Sequence, residues 1–559
     1  MTTQASPQLV ETPDTNGAFP RLTDGQIGRL AEVGERRRTR SGDVLYAQGE
    51  PTSDFFVILD GTVAVVEGFG DEQKVVRVHG PRRFLGELGL LEGQPAFVGA
   101  VFAEDGEVLV VQLAALRRLV LGDPTLGEQI LRAYLIRRSL LIGHGNGFRI
   151  VGSCYSPDTR RLLEFAARNR LPHRLVDLEK DTQAEALLRR FGVDISDTPV
   201  VVLRGTDVLR NPSNAELARR MGLRQAVAQR GVVDLLVVGA GPAGLAAVVY
   251  GASDGLSVSS VDAEAAGGQA ATTSRIENYL GFPAGISGAE LAERSLIQAD
   301  KFGVRVAIPA DAQTLRPCDG DYVIGFDDGV EIAARTVVIA TGARYRRLEV
   351  PDIAKFEGTS VHYAATLHEA RTCRSAPVAV VGGGNSAGQA AVFLAQDSPQ
   401  VYLLVRGGDL TQNMSRYLVD RVERHPRVTV LMCNEVRGVV GDGSLEALVV
   451  EDNRTGRRRV LDVRALFVFI GAAPHTAWLS GLVALDEDGF VLTGADADGS
   501  RADDRWRHVS RRPLVLETSR PGVFAVGDVR LGSVKRVASA VGEGAMAVRL
   551  VHEHLVEEV

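Results

Sequence analysis

Two glycine-rich turns carry the most specific chemistry in the chain. The first, Gly239-Ala240-Gly241-Pro242-Ala243-Gly244, directly follows the apolar run Val232-Val233-Asp234-Leu235-Leu236-Val237-Val238. The second, Gly382-Gly383-Gly384-Asn385-Ser386-Ala387, follows Val378-Ala379-Val380-Val381. At a strand-to-helix turn one glycine permits the tight reversal and a second lets a pyrophosphate approach the backbone. A small residue at the last position then lets the helix pack on the strand. Gly239, Gly241 and Gly244 therefore predict one dinucleotide site, and Gly382, Gly384 and Ala387 predict another. Asp262 closes the predicted strand over residues 256–261, where a carboxylate can bind an adenosine ribose. Arg406 follows the predicted strand over residues 401–405, where a guanidinium can pair with a 2′-phosphate, which favours NADPH over NADH. Two such modules imply a bound redox cofactor and a second nucleotide that supplies hydride.

The four cysteines, Cys154, Cys318, Cys373 and Cys433, never approach a C-x-x-C spacing. A chain built to move electrons thus lacks the usual dithiol for delivering them. Such sparse, scattered cysteines fit a reducing cytoplasm rather than a disulfide scaffold. No cluster of ligating side chains points to a metal. The polar N-terminus lacks the basic start and apolar core of a secretory signal, and no apolar run approaches the ~20 residues of a membrane span. A net charge of −7 gives no case for a nucleic-acid partner, and clusters such as Arg36-Arg37-Arg38 read as solvated faces.

At 559 residues the chain exceeds one hydrophobic core. It divides into a flexible leader (1–20), a β-rich unit (21–146), an α/β unit (147–225), and a core of three segments that carries both glycine turns (231–347, 348–477 and 478–559). The expected class is multidomain: an N-terminal β-roll with helices, a central α/β domain, and a C-terminal pair of Rossmann-like domains. Short β-prone runs over 42–111 predict the roll, and helical periodicity over 113–139 predicts a helix that closes it. In the α/β unit, strands at 148–151, 173–178 and 199–203 alternate with helices at 158–169 and 183–191. The polar run 494–500 reads as a surface loop.

Residues 21–139 resemble cyclic-nucleotide-binding regulatory domains, centred on Phe84-Leu85-Gly86-Glu87-Leu88-Gly89-Leu90-Leu91. The resemblance places a phosphate cassette at Gly86 and the ribose-binding carboxylate at Glu87. The cassette arginine is missing, because the chain reads Pro95-Ala96-Phe97 there. Loss of that charge-assisted contact argues against a cyclic nucleotide as partner. Residues 147–222 resemble the thioredoxin and glutaredoxin fold, with Cys154 matching the attacking cysteine and Pro199 the cis-proline. Pro157 stands where a resolving cysteine would be. A lone cysteine can form a mixed disulfide but cannot close an internal one.

Residues 231–555 resemble the low-molecular-weight thioredoxin reductases and their flavoprotein relatives. Gly267-Gly268-Gln269 and Glu277-Asn278-Tyr279-Leu280-Gly281-Phe282-Pro283 match the segment that wraps FAD, so the resemblance adds Gly268, Gln269 and Asn278 to the cofactor site. Ala340-Thr341-Gly342 and Gly471-Ala472-Ala473-Pro474-His475-Thr476 match the crossings into and out of the nucleotide domain. Gly527-Asp528 matches the position at which an aspartate meets the flavin ribityl oxygens. The helix that follows is placed with its N-terminus toward the flavin. Where these reductases carry a flavin-facing C-A-T-C, the chain reads Ala364-Ala365-Thr366-Leu367. His362, Tyr363 and His368 flank that motif; they could tune a proton or shield a ring, or simply pack. Cys373 reads as structural.

The resemblance implies hydride transfer from NADPH to FAD, then delivery to an unidentified external acceptor: oxygen, a quinone, a small redox protein or a dye. One alternative is thioredoxin-disulfide reduction through Cys154. Another is a redox-sensing regulatory protein with little turnover. A homodimer is also implied.

Overall fold

In the computed structural model, residues 9–51, 54–68, 73–86, 88–181, 184–204, 207–223, 231–273, 275–357, 359–363, 365, 376–498, 506, 509 and 511–557 are described. Contacts divide the chain into an N-terminal unit and a C-terminal unit with a boundary near residue 228.

The β-prone runs of the N-terminal unit form two antiparallel sheets. One orders Glu35–Thr39, Gly106–Gln112 and Asp54–Asp60; the other orders Val44–Tyr46, Gly99–Phe102, Val63–Glu67 and Lys74–His79. Phe55, Ile58, Val63, Phe84, Phe102 and Val108 are fully or almost fully buried in the roll. Instead of one closing helix there are two, Leu113–Gly122 and Pro124–His144. Pro124 cannot donate into the preceding turn, and the Asp123 carboxylate caps the new helix by accepting from the Thr125 and Leu126 amides. Residues 11–19, assigned to the leader by composition, lie against the roll: the Thr12 amide donates to Val78 O at 2.9 Å, and Phe19 is buried.

Residues 147–223 build a mixed four-stranded sheet in the order Asp207–Arg210, Val200–Arg204, Phe148–Gly152, His173–Asp177. The last two strands are parallel and the other pairings antiparallel. Helices Pro157–Arg168, Ala184–Arg190 and Asn214–Arg220 complete it, and the Thr198–Pro199 bond is cis.

In the C-terminal unit, strands Val258–Val261, Val233–Val238, Glu331–Ile339 and Val523–Ala525 run parallel. Asp321–Phe326 and Ala312–Cys318 extend the sheet antiparallel. Residues Leu235 to Val237 are fully buried, which is why the strand reads as a continuous apolar run without alternation. A second, parallel sheet orders Val361–His362, Ala465–Val468, Val378–Val381, Val401–Val405 and Val428–Met432. The chain crosses between the sheets on the paired strands Ala343–Tyr345 and Ala472–Pro474, so the second module is inserted into the first. Within the expected surface loop 494–500, Ala495–Asp498 form a helical turn with Ala497 fully buried. The small side chain of Ala497 lets the turn pack inward there. Among the described residues no helix is long and apolar enough to cross a membrane.

Candidate functional site

The Gly239 turn follows strand Val233–Val238 and opens helix Pro242–Ser253. Gly239 has φ +107°, and a Cβ there would lie 2.3 Å from Ala340 O. A Cβ at Gly244 would lie 1.8 Å from Gly239 O, so the helix meets the strand only through glycine. Gly241 differs: an added Cβ meets nothing within 4 Å, and no side chain caps the helix. Open space above uncapped helical amides is what a pyrophosphate requires.

Gly268 has φ +52°, and its Cβ position lies 3.2 Å from Gly241 Cα, which brings the second predicted loop onto the first turn. Beside it, Gln269 donates from Nε2 to Ala343 O at 3.2 Å, while its Oε1 is buried with no donor among the described residues. An orphaned buried acceptor next to an open glycine turn fits a cofactor bearing ring N–H groups. Asn278 is exposed on the wrapping loop. Asp262 accepts from the Ala240 amide at 2.7 Å on Oδ2, and from the Glu264 and Ala265 amides at 2.9 and 3.0 Å on Oδ1. Three backbone donors make it first an organiser of the turn.

Gly527 and Asp528 follow strand Val523–Ala525 and precede helix Val537–Glu557. Glu543 fixes this turn, accepting from the Gly527 amide at 2.7 Å and pairing with Arg530 at 2.7 Å. The helix lies so close to Pro242–Ser253 that a Cβ at Gly544 would sit 2.1 Å from Ala243 O. Burial pushes the Asp528 carboxyl above the ordinary carboxylate range; Lys535 partly offsets this and Glu543 adds to it. A carboxyl with a raised folded pKa incurs no penalty below its unfolded pKa and is destabilising once pH rises through the folded value. Apoprotein carrying Asp528→Asn is therefore expected to melt a few degrees above the parent at pH 7. The gap should close as pH falls below about 4; differential scanning calorimetry of the two apoproteins checks this.

The second turn repeats the first. Gly382 (φ +145°) would place a Cβ 2.3 Å from Phe469 O, and Ala387 is fully buried behind it. Gly384 begins helix Asn385–Leu394 without a side-chain cap, and its Cβ position has Asn413 O, 3.7 Å away, as nearest neighbour. Arg406 is exposed just past strand Val401–Val405, and its carbonyl accepts from Asn453 Nδ2 at 2.9 Å. Its guanidinium makes no hydrogen bond or ion pair among the described residues.

Cys154 precedes helix Pro157–Arg168, with its amide donating to Asp177 Oδ1 at 3.1 Å. Burial and the Asp177 carboxylate push its thiol upward, the opposite of an activated nucleophile. Gly86 has φ +98° and accepts at its carbonyl from Arg137 Nη1 at 2.8 Å. Glu87, Ala364, Thr366, Leu367, His368 and Cys373 lie outside the described residues; Ala365 is buried. The His362 ring packs 5.2 Å from that of Phe467. Tyr363 donates to Glu357 at 2.8 Å, and burial with that bond pushes its hydroxyl up to about 12, so both residues serve the nucleotide module's packing. One contact had no sequence signal. Glu277 of the wrapping loop meets Arg421 at 2.9 Å and Tyr417 at 3.2 Å, both on helix Arg416–Arg424.

Two family models match parts of the chain. Residues 233–544 match the family model for pyridine nucleotide-disulphide oxidoreductase, and residues 36–123 match that for the cyclic nucleotide-binding domain. A 34.2 kDa protein in the rubredoxin operon of Clostridium pasteurianum is 31% identical over 323 residues, 58% of this chain and 97% of that protein. Thioredoxin reductase of Treponema pallidum is 32% identical over 56% of this chain and 94% of its own. The crystal structure of Lactococcus lactis thioredoxin reductase in its FR conformation is 27% identical with a TM-score of 0.52, covering 58% of this chain and 99% of that one.

Proposed function

Because the chain belongs to the pyridine nucleotide-disulphide oxidoreductase family, we propose that it is an NADPH-dependent FAD oxidoreductase that delivers electrons to an external acceptor without a flavin-facing C-x-x-C. The observation that carries this reading is the pair of glycine turns, each opening a helix N-terminus without a side-chain cap and the first with open space above it, in a chain whose described cysteines, Cys154, Cys318 and Cys433, are all free. Bound FAD supplies hydride acceptance from NADPH and onward electron transfer. The amides after Gly241 and Gly384 hold the two pyrophosphates, and Arg406 selects the phosphorylated ribose. Gln269 and Asp528 offer the unmet acceptor and the half-buried carboxylate that orient the flavin end. Alanine and leucine at 364 and 367 leave no thiol there, so the acceptor must come to the flavin itself.

Anaerobic NADPH added to the purified yellow protein should bleach the band near ~450 nm within the mixing time of a stopped-flow instrument. A band that persists would refute turnover and favour a sensing role. The route through Cys154 has the protonated thiol against it. Cys154→Ser is expected to leave NADPH oxidation with every acceptor unchanged, and abolished reduction of a thioredoxin disulfide in that variant would overturn this. The homodimer implied by the relatives is tested by sedimentation velocity.

A further inference from the structure

The N-terminal roll holds a cavity of about 50 Å³ that opens to solvent, with about 640 Å³ of empty space once the open solvent at its mouth is included. Its wall is mostly apolar, with Phe19, Leu90, Phe97, Val98 and Leu141 among the lining side chains. Arg77, His79 and Arg137, which belong to no motif, share that wall. Arg137 is 6% exposed. Its Nε donates to Ala18 O at 2.7 Å and its Nη1 to Gly86 O at 2.8 Å, while Nη2 is buried with no acceptor among the described residues. The guanidinium lies 4.5 Å from the Phe84 ring centre and 5.4 Å from that of Phe19. Arg77 stands 5.1 Å over Phe19 and makes no hydrogen bond or ion pair among the described residues. His79 is 3% exposed, and its Nδ1 also lacks a partner. Asp54, the acidic side chain on the wall, forms an ion pair with neither arginine.

Buried charge is costly unless it is paired, and unsatisfied buried donors in a native fold call for a reason. Burial lowers the pKa of all three groups, Arg137 to about 10 and His79 well below its usual value, with neighbouring arginines adding repulsion at both. His79 is thus neutral near pH 7, and among the described residues the two guanidinium charges have no counter-ion. An anion in the pocket would remove that penalty through charge-assisted hydrogen bonds.

The cyclic-nucleotide arrangement is not what these residues fit. At the cassette, Ala96 has replaced the arginine and its amide is already donated to Glu50 O at 2.9 Å. The cations come instead from strand Lys74–His79 and helix Pro124–His144. We propose that this pocket binds a small amphipathic organic acid, its carboxylate on Arg137 and Arg77 and its hydrocarbon or aromatic body among Phe19, Leu90, Phe97 and Leu141.

Titration calorimetry of the full chain with phenylacetate, naphthoate and octanoate tests this, with acetate, inorganic phosphate and cyclic AMP as comparators. At least one of the three apolar carboxylates should saturate a single site per chain, and acetate and phosphate should bind at least about tenfold more weakly. Arg77→Met should keep the parent melting temperature, since Arg77 makes no internal hydrogen bond, and should weaken the apolar acid by about tenfold or more. The proposal fails if none of the three saturates, if acetate binds as well as they do, if cyclic AMP binds more tightly, or if folded Arg77→Met binds like the parent. Should Arg77→Met not fold, the ligand ranking on the parent protein decides alone.

Discussion

Gly244→Ala is expected to yield a protein that purifies without yellow colour and unfolds several degrees below the parent. The added Cβ would lie 1.8 Å from Gly239 O and 2.9 Å from Gly239 C, both backbone atoms that no rotamer change can move. Helix Pro242–Ser253 would have to back away from the strand, yet its other side is held by the close approach of Gly544 to Ala243 O. Overpacking of this kind costs about 3 kcal/mol, the upper end of its usual range, because neither neighbour yields. Gly241→Ala provides the control. With φ −69° and nothing within 4 Å of its Cβ position, the residue accepts a methyl group without strain. That apoprotein should melt like the parent while retaining far less flavin, because the methyl projects over the amides assigned to the pyrophosphate. The ratio of flavin to protein absorbance reads the first effect and calorimetry the second. Full flavin retention in Gly241→Ala would sink the placement of FAD at this turn.

The contrast between those two glycines shows what was legible in the sequence and what was not. A dinucleotide turn is a local requirement, since strand, tight reversal and helix start fall within a dozen residues. Gly239, Gly244, Gly382 and Ala387 therefore announce themselves and occupy the packing positions expected of them. The strands of the roll and of the mixed sheet were legible for the same reason, and Pro124 was a local break overlooked within a long helical pattern. Asp262 was legible only as to place. Its end-of-strand position suggests a ribose ligand, but which donors reach its carboxylate depends on how the 264–265 backbone turns back. Interactions between distant segments left no trace. Glu277 and Arg421 meet across 144 positions, and Arg77 and Arg137 share a pocket only because a strand and a helix of the roll converge. Along the chain each reads as an ordinary solvated arginine.

In the proposed function Arg406 is the residue on which the choice of nucleotide turns, and on that reading Arg406→Ala is expected to raise the KM for NADPH about thirtyfold. Strand Val401–Val405 lies parallel to Val378–Val381, with Leu404 opposite Val381, so Arg406 emerges at the same edge of the sheet as the Gly382 turn. The Asn453 side chain holds the Arg406 carbonyl at 2.9 Å and fixes the backbone there. The exposed guanidinium has no internal partner among the described residues, so it is available to a phosphate and its removal should leave the fold intact. A charge-assisted guanidinium–phosphate contact is worth about 2 kcal/mol, which corresponds to roughly thirtyfold in affinity. NADH lacks the 2′-phosphate, so its kcat/KM should not change, and kcat at saturating NADPH should also hold because the contact is remote from the nicotinamide. Equal losses for both nucleotides would mark Arg406 as a support for the turn. No loss for either would leave the preference for NADPH without a residue to carry it, and Gly384 would then hold a nucleotide chosen by its pyrophosphate alone.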